Sequence, residues 1–174
     1  MKDRWWMITL VGRDAPGIVA ALTRTLADAG CNLGETSMLR LGGNFTVMMM
    51  VSGAADEGAL RALLDPVVHE RGLCLHIDPI EAHLHEHLIP NLQVAVSGAD
   101  RAGIVAQVTG ALAEGGFNIL DLESDVAGTA EAPVYILQIS GVSNEPVEAV
   151  ERRLVPLRAE GIAVNVTPVE TYIG

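Results

Sequence analysis

The chain has 174 residues, 49% of them hydrophobic, and a formal net charge of −11, with Lys2 its sole lysine. Such acidity repels nucleic-acid phosphates and withholds the cationic contacts that dominate DNA and RNA affinity, so direct nucleic-acid binding is not expected. No apolar run approaches the ~18–20 residues that span a bilayer, and Met1-Lys2-Asp3-Arg4-Trp5-Trp6 turns strand-like too early for a signal peptide. The expectation is a soluble cytoplasmic protein with no membrane partner.

Trp5 to Val11 reads as a strand, β-branched at Ile8, Thr9 and Val11 and stopped by Gly12. Asp14 is placed to cap the helix that follows, and Pro16 is tolerated in a first turn. Ile18, Leu22, Thr25, Leu26 and Ala29 then recur at helical spacing, with Gly30 as a C-terminal stop. A second strand is predicted from Leu33 to Leu41, a turn at Gly42-Gly43-Asn44, and a third strand from Phe45 to Val51. Met48-Met49-Met50 within it reads as buried strand, since consecutive sulfurs on opposite faces do not converge on a metal. Leu60, Leu63, Leu64, Val67 and Val68 mark a second helix, and Leu73 to Ile80 a fourth strand. The order β-α-β-β-α-β is ferredoxin-like: two helices on one face of a four-stranded antiparallel sheet.

Residues 81–90 link this unit to a second one with the same plan. Leu92, Val94 and Val96 alternate with polar or small residues. Ile104, Val108, Ala111 and Leu112 give a helical face closed by Gly115-Gly116. Strands follow at 119–126 and 134–139, separated by a long hairpin loop over 127–133. A helix marked by Val147, Val150, Leu154 and Leu157 precedes a last strand from Ile162 to Val169. From Gly12–Met38 to Gly98–Ser124 the offset is constant, and eleven of the 27 pairs are identical. Further on, Phe45 matches Tyr135, Leu64 matches Leu154 and Pro66 matches Pro156, an offset larger by four residues that are assigned to the hairpin loop. Pro66 and Pro156 should bend their helices or mark a terminal turn. The domains are therefore placed at 4–80 and 91–172, as an α+β protein of two ferredoxin-like domains packed side by side.

The repeated stretch is Gly12-Arg13-Asp14-Ala15-Pro16-Gly17-Ile18-Val19 and Gly98-Ala99-Asp100-Arg101-Ala102-Gly103-Ile104-Val105. A helix N-terminus offers unpaired N–H groups and partial positive charge, and glycine lets a ligand approach the backbone. Such a turn suits a small carboxylate. Asp14 or Asp100 would meet an ammonium group, and Asn32 and Asn118 would offer amides to the same ligand. The same residues also serve caps and turns with no ligand.

Asp100-Arg101-Ala102-Gly103-Ile104 followed by Gly116-Phe117-Asn118-Ile119 resembles the ACT domain, a regulatory amino-acid-binding module. Its usual turn reads Asp-Arg-Pro-Gly before a hydrophobic residue, and its helix ends in Gly-x-Asn-Ile or Gly-x-Asn-Val. The first copy reads Asp14-Ala15-Pro16-Gly17-Ile18 and Gly30-Cys31-Asn32-Leu33, keeping the proline and losing the arginine; the second does the reverse. The resemblance implies amino-acid binding at an interface between neighbouring ACT domains. Ligand contacts would come from Asp14, Ala15, Pro16, Gly17, Ile18, Val19 and Asn32, and from Asp100, Arg101, Ala102, Gly103, Ile104, Val105 and Asn118. A stand-alone acidic tandem of this length is similar to ACT regulators of glycine cleavage. That implies a small amino acid of the glycine or serine class as ligand, a DNA-binding activator as protein partner, and a homodimer.

Other chemistry is sparse. Cys31 and Cys74 stand alone in apolar context and read as reduced small hydrophobes. His83, His85 and His87 lie in the linker, where two imidazoles could share a metal or simply be solvated. No nucleophile elbow, phosphate loop or zinc-protease motif is present. A non-enzymatic regulator without a cofactor is expected. The alternatives are a metal-binding or small enzymatic protein built on the linker histidines, and an interaction module with vestigial ligand sites.

Overall fold

The computed structural model describes residues 4–81, 88–99 and 101–169. In the first unit β1 (Trp5–Arg13) is followed by α1 (Ile18–Asp28), β2 (Asn32–Leu41), β3 (Asn44–Ser52), α2 (Glu57–Arg71) and β4 (Cys74–Ile80). The sheet is antiparallel in the order β2-β3-β1-β4. The second unit repeats this with β5 (Leu92–Ala99), α3 (Ile104–Glu114), β6 (Asn118–Thr129), β7 (Ala132–Val142), α4 (Val147–Ala159) and β8 (Ala163–Pro168). Its sheet order is β6-β7-β5-β8. Each unit is thus the predicted α+β, ferredoxin-like βαββαβ fold. The chain divides into two compact units, residues 1–85 and 86–174.

Each unit closes its own core. Ile18, Leu22 and Leu26 of α1, one turn apart, and Leu60, Leu64 and Val68 of α2 are buried over Trp6, Ile8, Leu10, Val47 and Met49. Ile104, Val108 and Leu112 of α3, with Val150, Leu154 and Leu157 of α4, do the same over Val94, Val96, Leu137 and Ile139. Both first helices end alike. Gly30 (φ 74°) donates its N–H to Ala27 O and Cys31 to Leu26 O; Gly116 (φ 68°) bonds Ala113 O and Phe117 bonds Leu112 O. This paired 5→2 and 6→1 pattern needs a left-handed residue, which is why glycine sits there.

Pro66 lies inside α2, well before its end, while Pro156 opens the last turn of α4, the two placements that the sequence allowed. The structure corrects two details. The four extra residues of the second unit do not make a longer loop. They lengthen the hairpin arms, so that β6 and β7 have 12 and 11 residues against 10 and 9 in β2 and β3. Of the methionine triplet only Met49 is in the core; Met48 is 45% exposed. The helices cover one face of each sheet, so alternate residues point to a face that no helix covers.

Those open faces differ between the units. Met7 pairs with Met50 across β1 and β3, and Thr9 with Met48. At the equivalent places across β5 and β7 stand Gln93 with Ser140, and Ala95 with Gln138. Leu39 of β2, opposite Thr46, corresponds to Asp125 of β6, opposite Ile136. The first open face is rich in methionine and leucine; the second carries more polar residues, with Val134, Ile136 and Val142 as its large aliphatics and an apolar depression around Ile136.

Candidate functional site

The first turn links β1 to α1. Gly17 takes φ 84° and ψ 1°, the third position of a type II turn, and Pro16 before it supplies the fixed φ that the second position favours. Gly103 takes φ 91° and ψ −3° in the same role behind Ala102. A Cβ at either glycine would meet nothing within 4 Å, so these glycines are required by backbone angle and leave open space beside the helix start.

Asp14 does not cap α1. Its carboxylate pairs with Arg40 of β2 at 2.5 Å, and its N–H donates to Gly43 O at 3.1 Å. The Arg40 guanidinium, distant in sequence, outcompetes a local cap because a charge-assisted bond is the stronger one. The N-cap of α1 is therefore Gly17, with no side-chain hydrogen bond, and the helix begins with Ala21 N–H to Gly17 O at 3.0 Å. No acidic residue stands in the first turn. The N-cap of α3 is Gly103, again with no side-chain cap and no acid in the first turn among the described residues. Its first bond runs from Gln107 N–H to Gly103 O at 2.9 Å.

The second helices are built differently. In α2 the Asp56 carboxylate accepts from Ala59 N–H at 2.8 Å and Glu57 occupies the first turn; α4 has Glu148 there. Negative charge neutralises the dipole at α2 and α4 and is missing from α1 and α3. Among the described residues, α1 and α3 are the helices with neither a side-chain cap nor an acid in the first turn, which is the electrostatic requirement for holding a carboxylate.

Asp100 lies outside the described residues, as do His83, His85 and His87. Arg101 is half-buried; its guanidinium donates to Gln107 Oε1 at 3.0 Å, and it pairs with Glu160 at the end of α4. The second turn is thus tied to a helix end, while the first, through Asp14 and Arg40, is tied to the β2–β3 hairpin. Ala15, Pro16, Val19 and Ala102 are exposed, Ile18 and Ile104 are buried, and Val105 is half-buried. The two isoleucine side chains anchor the helix starts to the cores, which leaves their backbone N–H groups as what they can offer a ligand.

Asn32 and Asn118 are exposed at the first positions of β2 and β6. Each is separated from the turn of its own unit by the whole of α1 or α3, about 16 Å at 1.5 Å per residue. A single small ligand does not reach both within one unit, contrary to the arrangement expected from sequence. Cys31 is half-buried and burial pushes its thiol pKa up, which suits the inert role assigned to it. Cys74 is exposed on the open face of the first sheet. A shallow depression of about 370 Å³ lies elsewhere, on the open face of the second sheet among Ala95, Ser97, Ile136 and Asn165, and its lining is mostly apolar. It offers no charged group for an amino acid, so the turns remain the better site. No group of metal-ligating side chains is assembled among the described residues.

A family model for the ACT domain matches residues 6–78 and again 91–165. The chain belongs to the ACT-domain family. It is 26% identical to the glycine cleavage system transcriptional repressor of Escherichia coli over 149 residues, 85% of this chain and 78% of that one. A UPF0237 protein of Lactococcus lactis is 38% identical over 72 residues, 41% of this chain and 83% of that protein. The crystal structure of an unknown protein from Galdieria sulphuraria superposes with a TM-score of 0.77 at 23% identity, covering 97% of this chain and 100% of that one. A candidate glycine cleavage system transcriptional repressor of known structure gives 0.72 at 19% identity over 98% and 100%. These two likenesses carry the fold. No described helix is long and apolar enough to cross a membrane.

Proposed function

We propose that this ACT protein is a non-enzymatic, cytoplasmic regulator that binds a small amino acid of the glycine or serine class and acts through a protein, a DNA-binding activator, rather than on DNA. The observation that carries the reading is the pair of uncapped, acid-free helix N-termini behind Gly17 and Gly103. The ligand carboxylate sits on the free N–H groups of residues 18–20 or 104–106. Its ammonium and side chain are met by groups other than the asparagine of the same unit, since the turn and the asparagine of one unit are a helix length apart. Ligand binding favours one conformation of the protein and thereby changes affinity for the partner. Kinship with the glycine cleavage system transcriptional repressor supports a glycine-class ligand and a role in regulation, and a net charge of −11 favours a protein partner over nucleic acid. The functional state is a homodimer.

Calorimetry of the full chain against glycine, serine and the other common amino acids tests this. Ala20 and Ala106 are exposed in the first turns. Ala20→Glu and Ala106→Glu add the missing negative charge, which steadies the helix while repelling a carboxylate. Binding is expected in the wild type and is expected to fall at least ~10-fold in one or both variants, with unchanged or higher Tm. A folded wild-type chain that binds no amino acid overturns the sensor reading. Binding that both variants retain shows that the turns are not the site.

A further inference from the structure

The two units keep the same core face and have opposite open faces. Ile8 and Val94, Met49 and Ile139, Ile77 and Val166 are equivalent and buried. On the other side Met7, Met48, Met50 and Leu39 stand where the second unit has Gln93, Gln138, Ser140 and Asp125. A polar open face is therefore fully compatible with this fold, and the apolar one is not a requirement of folding. Met48, Val11 and Leu39 are 45%, 44% and 55% exposed. All six methionines and both tryptophans of the chain lie in its first half. Met side chains adapt to a facing surface, which suits them to an interface. A contiguous exposed patch of this kind marks an interaction site.

We infer that the open face of the first sheet is the contact through which two copies of the chain associate, sheet stacked on sheet. Charge selects the occupant. Residues 1–85 carry seven basic and ten acidic side chains, net −3, whereas residues 86–174 carry four and twelve, net −8. Two copies of an acidic chain meet with least repulsion through first units, and through a face on which Arg13 of β1 stands with Asp78 and His76 of β4. Size fits as well. Four strands at about 4.8 Å spacing and about eight residues of 3.3 Å give roughly 500 Å² per face, so two faces bury about 1,000 Å² in all, the lower bound of a specific interface. A face that stacks on its own copy about a two-fold axis is self-complementary, apolar on apolar. The inference rests on the homodimer proposed above and assigns its surface.

The test is sedimentation equilibrium of the full chain from ~1 to ~100 μM. The wild type is compared with Met7→Gln/Met48→Gln/Met50→Ser, which copies residues the second unit already accommodates, and with the single Met48→Glu at an exposed position. Gln138→Glu at the equivalent place is the control. Expected are a wild-type dimer, a dissociation constant raised at least ~100-fold in both first-unit variants, and no change in the control. Circular dichroism checks that each variant is folded. A wild-type chain that stays monomeric throughout overturns the homodimer itself. A dimer whose dissociation constant in folded Met48→Glu and in the folded triple variant stays at the wild-type value is held elsewhere, and overturns only this surface. A dimer weakened equally by Gln138→Glu also overturns it.

Discussion

The two units are one fold written twice, and they differ where the fold is indifferent. Their cores, strand orders, bulge positions near the starts of β2 and β6, glycine stops and type II turns coincide. Their open faces, hairpin lengths and turn anchors do not. The first turn is held by Asp14 to the β2–β3 hairpin through Arg40, the second by Arg101 to the end of α4 through Glu160. The second unit alone carries the Arg153–Glu145 pair, bonded through both carboxylate oxygens, where the first has Leu63 and Ala55. The lesson is that duplication preserved what closes a core and left the solvent side free to diverge into two surfaces.

The largest effect that separates the units is expected from their cores. Leu26 and Leu112 are equivalent and almost fully buried, at 0% and 1% exposure. Leu26→Ala and Leu112→Ala should each cost about 2–5 kcal/mol. Because the core clusters are separate, hydrogen exchange should show protection lost mainly in the mutated unit. Equal loss in both units would show that they unfold as one.

A reciprocal graft sharpens the comparison of faces. Gln93→Met/Gln138→Met/Ser140→Met gives the second sheet the open face of the first. Light scattering should then report assemblies larger than the wild type. An unchanged mass would mean that methionines on this face are not sufficient for association.

Gly17→Ala and Gly103→Ala should cost about 1–2 kcal/mol each, from left-handed backbone alone, since neither Cβ meets a neighbour. Thermal melts giving unequal costs would reveal that one turn is strained differently from its twin. The turn anchors should matter less. Arg40→Ala breaks the exposed Asp14 pair and is expected to cost under about 1 kcal/mol, yet it frees Asp14 for an ammonium group. Calorimetry should show ligand affinity changed in the first unit while Tm barely moves.

The smallest difference concerns pH. The Arg153 guanidinium holds the Glu145 carboxyl below the usual glutamate range by its hydrogen bond. A carboxyl with a lowered folded pKa stabilises the fold above its unfolded pKa, and that contribution is lost as pH falls through the folded value. The stability gap between wild type and Glu145→Gln should be present at neutral pH and close below about pH 4. Leu63 and Ala55 make the first unit indifferent to this step. A gap that is the same at pH 3 and pH 7 would show that the glutamine keeps the bond unchanged.

Periodicity and glycine placement determined most of this protein before any coordinates. Helical faces at 3.6-residue spacing, period-two strands and stops at Gly30, Gly72, Gly116 and Gly161 are local properties, so the order of elements along the chain and the two cores were legible. The repeated turn was legible for the same reason: a type II turn before a helix is decided within four residues. Tertiary structure alone decided the rest. Asp14 reads as a cap until folding brings Arg40 to it from another strand. Asn32 reads as close to Gly17 until α1 is given its length. Met48-Met49-Met50 reads as uniformly buried until the helices cover one face of the sheet and leave the other open. A strand's sequence states that it has two faces; which of them is covered depends on where distant helices pack.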